Sequence, residues 1–239
     1  MDREQRAVEI AGKSFMLHVS GALYWPVIKT LFVADLHLGK GAAFAERGTL
    51  LPPYDTRATL AALSAVIERF QARRVVCLGD SFQDGGAEAR MDWEDHAALR
   101  RIVDARDWVW IAGNHDPDPP VALGGMRLDE LAIDGVLCRH QAGARAGRLE
   151  LSGHFHPKAS LSVAGRRITR PCFMSDGRRV ILPAFGAYTG GLNALDPDLS
   201  GLFPQGFHAF VLGRRAVHRV PSERLARSIY DHRATQDRY

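Results

Sequence analysis

Ten polar residues stand just past short apolar runs in this 239-residue chain. They are Asp35 and His37 in "ADLH", Asp80 and Asp84 in "GDSFQD", Asn114, His115 and Asp116 in "GNHDP", His140 in "LCRH", and His154 and His156 in "GHFHP". Singly, each has an ordinary explanation, since Asp and Asn form turns and a lone histidine more often satisfies a carbonyl than binds an ion. Jointly they exceed what turns require. Carboxylate and imidazole together suit Mn²⁺, Fe or Zn²⁺, and one carboxylate can bridge two ions about 3.5–4 Å apart. Asp-x-His and His-x-His each put two side chains on the same side of an extended segment, because side chains alternate. The chemistry these residues fit is that of a two-metal site.

The elements that must position them follow from the apolar runs. "TLFVAD" (30–35), "RRVVCLGD" (73–80) and "DWVWIAGN" (107–114) are β-branched and apolar and read as buried strands, each ending in a polar residue. Between the first two, "DTRATLAALSAVIERF" places Leu60, Leu63, Ile67 and Phe70 on one helical face, with Asp55 as the expected N-cap. Trp93 to Val103 gives a second helix. Strand and helix therefore alternate, and the polar residues gather at the carboxyl ends of strands, where open α/β sheets place ligands. The second half changes character: "MRLDELAI", "VLCRH", "RLELSGH", "ASLSV", "RRITR", "RRVILPA" and "GFHAFVLG" are short β-rich pieces broken by Gly and Pro. A second sheet packed on the first buries both. "GKGAAF" lacks P-loop spacing and, with "ERGTLLPP", is expected to be an active-site loop or a connection. With no repeat or long linker, residues 1–239 read as one domain, with a motif-bearing half (30–160), a β-rich half (126–220) and a polar, Arg-rich tail (221–239) expected to be a short helix or flexible.

Composition narrows the classes. At 46% hydrophobic and 24% charged the chain can bury a sizeable core. It contains no apolar run of about 18 residues that would span a membrane, and "MDREQRAVEI" lacks a signal-peptide core, so the cytoplasm is expected. Cys77, Cys138 and Cys172 are odd in number and not in CxxC spacing, which fits reduced thiols rather than disulfides or a cysteine zinc site. Residues 139–179 hold eight Arg and one Lys against Glu150 and Asp176, a local +7 in a chain of net charge +4. Such asymmetry fits either an anionic partner or solvated, Arg-rich hairpins.

In the order and spacing of its five blocks, "DLH", "GDSFQD", "GNHD", His140 and "GHFH", the sequence resembles the calcineurin-like metallophosphoesterases. That resemblance implies an α/β (α+β) fold, a four-layer αββα sandwich of two mixed sheets packed face to face with helices outside. It implies two divalent metal ions, with manganese preferred and Fe or Zn as alternatives. Asp35, His37, Asp80 and His156 would hold one ion, and Asp80, Asn114, His140 and His154 the other, with Asp80 bridging. His115 would face the substrate as a catalytic residue. The family's second block is usually Gly-Asp-x-x-Asp, whose last Asp orients that histidine; here the position is Gln83, and the acid follows at Asp84, carried forward as the second catalytic residue. "GNHD" in place of "GNHE" argues against a phosphoprotein substrate.

"GDSF-x-D", "GHFHPKA" and "ILPAFGAYTGGLN" (181–193) further resemble the bacterial ligase-associated DNA-damage-response phosphodiesterases and endonucleases. That likeness implies DNA as substrate, a place in DNA repair, and partners such as a ligase. Arg166, Arg167 and Arg170 are candidate phosphate contacts, and Tyr188 either stacks on a base or lies in the core. Two other readings stand beside it: a small-molecule phosphatase or phosphodiesterase, and a metal-free binding scaffold that keeps the fold.

Overall fold

Near-continuous Val, Leu, Ile and Trp in the first half fit strands covered on both faces, and the computed structural model, which describes residues 3–49, 51–52, 54–119, 121–143 and 149–227, places them there. The chain opens with three antiparallel strands ahead of the first run the sequence marks: β1 (Gln5–Ile10), β2 (Lys13–His18) and β3 (Leu23–Trp25). Then come β4 (Thr30–Val33), β5 (Arg74–Cys77), β6 (Asp107–Ile111) and β7 (Met126–Leu128), mutually parallel. The seven lie in sequence order in one mixed sheet. Its helical cover is α1 (Lys40–Glu46), α2 (Asp55–Phe70), α3 (Ala87–Arg90) and α4 (Trp93–Asp104).

"MRLDELAI" is not one strand. It divides at Asp129, so β7 closes the first sheet while β8 (Glu130–Ile133) opens the second. β9 (Val136–Arg139), β10 (Leu149–Ser152), β11 (Lys158–Val163), β12 (Arg166–Ser175), β13 (Arg179–Ile181), β14 (His208–Leu212) and β15 (Val217–Pro221) complete it. The order is β15-β14-β12-β13-β10-β9-β8, with β11 paired to β12 beyond that path. β9, β10 and β13 run parallel to one another and the other pairs are antiparallel.

The sheets pack face to face. Phe15, Trp25, Phe32, Val76 and Ile111 of the first meet Val136, Leu151, Phe173, Val180 and Phe210 of the second in one buried cluster. The outer face of the first sheet packs Leu31, Val33, Val75 and Trp110 against Leu60, Leu63, Ile67, Leu99 and Val103 of α2 and α4. The outer face of the second is covered by an irregular segment, Pro183 to Phe207, whose short helix α5 (Pro197–Ser200) contributes Leu199, joined by Phe203 and Phe207. Each fully buried Leu or Phe contributes about 1.5–3 kcal/mol, so these clusters fix the sheet ends that carry the polar residues.

Two local expectations change. Asp55 does not cap α2: its buried carboxylate accepts from the Gly41 N–H of α1 at 3.1 Å, tying the helices together. "GKGAAF" is not a loop but the start of α1, entered through Gly39 in the left-handed region (φ 82°). Of the C-terminal tail, residues 228–239 lie outside the described residues. Within the described residues no helix is long and apolar enough to cross a membrane.

Candidate metal centre

Five polar residues at the strand ends have backbones in the left-handed region: Asp35 (φ 55°), His37 (46°), Asp80 (48°), His154 (72°) and His156 (46°). The expectation that Asp-x-His and His-x-His act as extended segments is thereby corrected. Each pair converges because every second residue is turned out of the strand conformation, at about 1–2 kcal/mol of strain per residue. Strand-end hydrogen bonds hold these turns: Asp35 N to Gly79 O at 3.1 Å, His37 N to Asp80 O at 2.9 Å and Gly153 N to His140 O at 2.9 Å. Glycine precedes Asp80 and Asn114 for lack of room. A Cβ on Gly79 would lie 2.4 Å from His140 Nδ1, and one on Gly113 would lie 2.2 Å from both the amide nitrogen and Oδ1 of Asp80.

The geometry brings together all seven residues that the sequence nominates as ligands. Asn114 Oδ1 lies 2.8 Å from His140 Nε2 and 2.9 Å from His154 Nδ1, and those two nitrogens are 3.1 Å apart. Asp80 Oδ2 is 3.4 Å from His140 Nε2. On the other side, His37 Nε2 and His156 Nε2 are 3.3 Å apart, and His156 Nε2 is 3.4 Å from Asp35 Oδ1. Three groupings could hold an ion: Asp35 with His37 and His156, Asp80 with His140 and His154, and His37 with Asp80 and His115. Asp80 and His37 link these into one continuous set.

These spacings fit a metal. Bonds of about 2.1 Å meeting at 90–109° put neighbouring donors about 3.0–3.4 Å apart. Hydrogen bonding does not explain them as well, because two of them, His37 to His156 and His140 to His154, are nitrogen to nitrogen between imidazoles. His140 Nδ1 donates to Leu78 O at 2.9 Å, which turns Nε2 toward Asp80, Asn114 and His154. A backbone carbonyl fixing the far nitrogen is the usual support of a ligating histidine.

Protonation tendencies divide the set. Burial, then the neighbouring His156, pushes His37 down to about 3, which keeps it neutral as ligation requires. Burial, then His140, also lowers His154. Burial would lower His140 too, but the hydrogen bond and charge of Asp80, with Asp35, raise it to about 9. Burial alone would raise Asp80; its contacts with His140, the His115 N–H and His37 hold it well below the carboxylate range. Asp80 thus calls for positive charge at the centre of the set.

Asp116 braces the turn behind Asp80. It is 1% exposed, and its Oδ2 accepts from Ser81 N at 2.8 Å and Phe82 N at 3.1 Å. Burial, with a contribution from Asp80, lifts it to about 7 against the pull of those two N–H groups. A neutral oxygen at this position therefore suffices. Asp116→Ala should strand two buried donors at about 1–3 kcal/mol each, read by urea unfolding, whereas Asp116→Asn should recover most of that loss. Equal losses in both variants would mean that the charge, and not the acceptor, braces the turn.

Asp84 does not take the role expected of it. His115 Nδ1 is bonded to the main-chain carbonyl of Gln83 at 3.0 Å, while the Asp84 carboxylate is ion-paired with Arg90 and accepts from Gly86 N at 2.9 Å. The chain runs so that residue 83 presents its carbonyl where the family pattern has a carboxylate, and Asp84, one step on, turns to α3. The Gln83 main chain was missed because a carbonyl leaves no signature in residue types.

The candidate substrate contacts are dispersed. Arg166, Arg167 and Arg170 are exposed on the β11–β12 hairpin, paired with Val163, Ser162 and Ala159. Alternation puts Arg166 and Arg170 on one face and Arg167 on the other. Of the remaining basic residues in 139–179, Arg139 and Arg179 are paired to buried Glu150, at 3.1 and 3.2 Å, and Arg145 and Arg148 lie outside the described residues. Tyr188 is 51% exposed, which removes the core alternative. Its loop uses glycine to reach the ligand-bearing backbone: a Cβ on Gly186 would lie 2.1 Å from Leu36 O, and one on Gly191 2.1 Å from His156 O.

Comparison with known proteins agrees with this geometry. Residues 28–163 match the family model described as calcineurin-like phosphoesterase. Among solved structures, nuclease MPE of Pseudomonas putida is 30% identical, with a TM-score of 0.71, over 90% of this chain and 100% of that one. Yfce, a phosphoesterase from E. coli, is 12% identical over 80% of this chain and 97% of its own with a TM-score of 0.41, too distant to bear on the site. No curated protein sequence matched.

Proposed function

Since the chain belongs to the calcineurin-like phosphoesterase family and is a metal-dependent hydrolase of phosphate esters, we propose that it is a manganese-dependent nuclease that cleaves phosphodiester bonds in DNA. The observation that carries this reading is the convergence of Asp35, His37, Asp80, Asn114, His140, His154 and His156, with Asp80 shared between groupings, in a chain 30% identical to a nuclease. Oxygen and imidazole donors without thiolate accept manganese as well as iron or zinc, and the family resemblance is what makes manganese the first choice. All three cysteines are free and buried, which suits a reducing compartment such as the cytoplasm. The likeness of "GHFHPKA" and "ILPAFGAYTGGLN" to the ligase-associated branch supports a role in DNA repair, with a ligase as the class of partner to test.

Two ions bound here supply Lewis acidity, lowering the pKa of water and offsetting charge on the non-bridging phosphoryl oxygens. The chain's own residues supply the rest. Asp35 and Asp80 bring the negative charge that holds the cations, and the Asn114 amide adds a neutral oxygen that leaves net positive charge for an anionic substrate. Gln83 O accepts from His115 Nδ1, so that nitrogen bears the hydrogen and Nε2 is left to exchange a proton with the substrate. Asp116 keeps the turn that presents Asp80.

The substrate class is tested by direct comparison. With Mn²⁺, an aryl phosphodiester should be cleaved faster than the matching monoester, because a terminal dianion needs more cationic donors than the ligand-bearing blocks provide. DNA should be cut by the same site. A strong monoester preference with no cleavage of single-stranded or duplex DNA would favour the small-molecule reading. The hairpin makes a narrower expectation: replacing Arg166 and Arg170 together by Ala should flatten the salt dependence of DNA binding by roughly 1.4–1.8, about 0.7–0.9 per lost phosphate contact. Arg167→Ala should add nothing, because it lies on the opposite face; an unaltered slope in the double variant would mean the hairpin is merely solvated.

A further inference from the structure

We propose that Tyr188 is a base-stacking residue, its ring held beside the metal centre to take the base that flanks the scissile phosphate in a bound DNA strand; this role rests on the nuclease reading above. The loop that carries it is fastened to both segments that bear the Asp35, His37 and His156 grouping. On one side Phe185 N donates to Ala34 O at 2.9 Å and Gly186 N to Asp35 O at 3.1 Å. On the other, Leu192 N donates to Phe155 O at 3.3 Å, between His154 and His156. The close approaches of Gly186 to Leu36 O and of Gly191 to His156 O leave no room for a side chain at either point. Two further bonds brace the middle of the loop: Ala187 N donates to Thr59 Oγ1 at 3.1 Å, and Thr189 Oγ1 to Gly186 O at 3.2 Å. Tyr188 stands between these fixed points. Its Cα therefore lies within about 7.6 Å of that of Gly186 and about 11 Å of that of Gly191, at 3.8 Å per residue.

The fold makes no use of the ring. It is 51% exposed, and among the described residues Tyr188 has no side-chain hydrogen-bond partner and no ring contact. Its backbone is nonetheless left-handed (φ 56°), a conformation that a bulky residue rarely takes and that glycine, present at 186, 190 and 191 of the same loop, takes readily. Neither packing nor backbone preference accounts for an aromatic residue here. Strained residues on a braced backbone are characteristic of ligand clamps, and an exposed ring offers a ligand a flat apolar face. With the scissile phosphate between the ligand-bearing strand ends, the flat group nearest the loop is the base of an adjoining nucleotide, which a compact ester lacks. Every base has a π-face, so stacking on Tyr188 adds affinity without selecting a sequence.

The test removes the ring and the base separately and together. A short single-stranded oligonucleotide with one preferred cleavage site is prepared with the nucleotide next to the scissile phosphate, on one side or the other, replaced by a stable abasic sugar. In the wild-type protein, losing one of the two bases should raise KM about 5- to 150-fold, the range for one base stacked on an aromatic ring. In Tyr188→Ala, which keeps a Cβ on the same backbone, KM should already be raised by that factor, and removing the base should cost little more. Tyr188→Phe should restore both the low KM and the base penalty, because stacking needs the ring and not the hydroxyl. Manganese content should match the wild type in both variants. A base penalty of undiminished size in Tyr188→Ala overturns the proposal, as does the absence of any penalty in the wild type on either side. So does Tyr188→Phe with the Ala phenotype, which would assign the hydroxyl, or loss of metal in Tyr188→Ala, which would make the residue a support of the ligands. Failure of the wild type to cut any oligonucleotide overturns the nuclease reading and this role with it, and is told apart by its appearance before any tyrosine is changed.

Discussion

Asp80→Asn should yield a folded protein that hydrolyses neither an aryl phosphodiester nor DNA, a loss of at least about 10³-fold, since a metal site contributes several kcal/mol to such a reaction. The fold should survive for two reasons. Asn is among the few residues that accept the left-handed backbone found at position 80 (φ 48°), and its amide oxygen can still accept the His115 N–H that Asp80 Oδ1 receives at 2.9 Å. The site should not survive. Asp80 belongs to two of the three groupings, so one substitution removes a negative oxygen from both sides and puts an N–H₂ donor where His140 Nε2 meets Oδ2 at 3.4 Å. Elemental analysis should find fewer than two ions per chain, with the thermal midpoint shifted by no more than a few degrees. Wild-type metal content together with substantial Mn²⁺-dependent turnover would sink the assignment of Asp80 as the shared ligand.

The site was legible in the sequence to the extent that its function rests on side-chain type. Asp, His and Asn at successive strand ends have few structural uses, and the apolar runs before them announce β4, β5 and β6 through β-branched content alone. What the sequence conceals is backbone. The convergence of "DLH" and "HFH" comes from left-handed residues at Asp35, His37, His154 and His156, a conformation that residue type does not disclose at Asp or His. Likewise, the partner of His115 is a carbonyl, which every residue has, so reading Asp84 as the orienting acid followed side chains where the main chain acts. The strands before residue 30 carry less regular patterning: β1 is partly exposed along most of its length, and β3 spans only Leu23–Trp25. The arginine-rich segment looked uniform as charge, yet folding ties partly buried Arg139 and buried Arg179 to Glu150 and sets Arg167 on the opposite face of its hairpin from Arg166 and Arg170.

His115→Ala separates catalysis from metal binding. The ring is near enough to His37 and Asp80 to form a grouping with them, and meets His37 edge to face at a centroid distance of 5.1 Å, so proximity alone is compatible with a fifth imidazole ligand. The contacts argue otherwise. Nδ1 is occupied by the Gln83 carbonyl, and the residue's tie to Asp80 is made through its backbone N–H, which Ala retains. Removing the ring should therefore leave two ions bound while lowering kcat by about 10²–10⁴, the range for losing a positioned proton donor or acceptor. The loss should be largest for substrates with poor leaving groups, because an alkoxide leaving from DNA needs a proton more than an activated aryl oxide does. His115→Gln, which restores a hydrogen-bonding group but cannot shuttle a proton at neutral pH, should recover little of the rate on DNA. If His115→Ala instead loses an ion, the ring is a ligand. If its rate falls equally for good and poor leaving groups with metal intact, the histidine stabilises phosphoryl charge without transferring a proton.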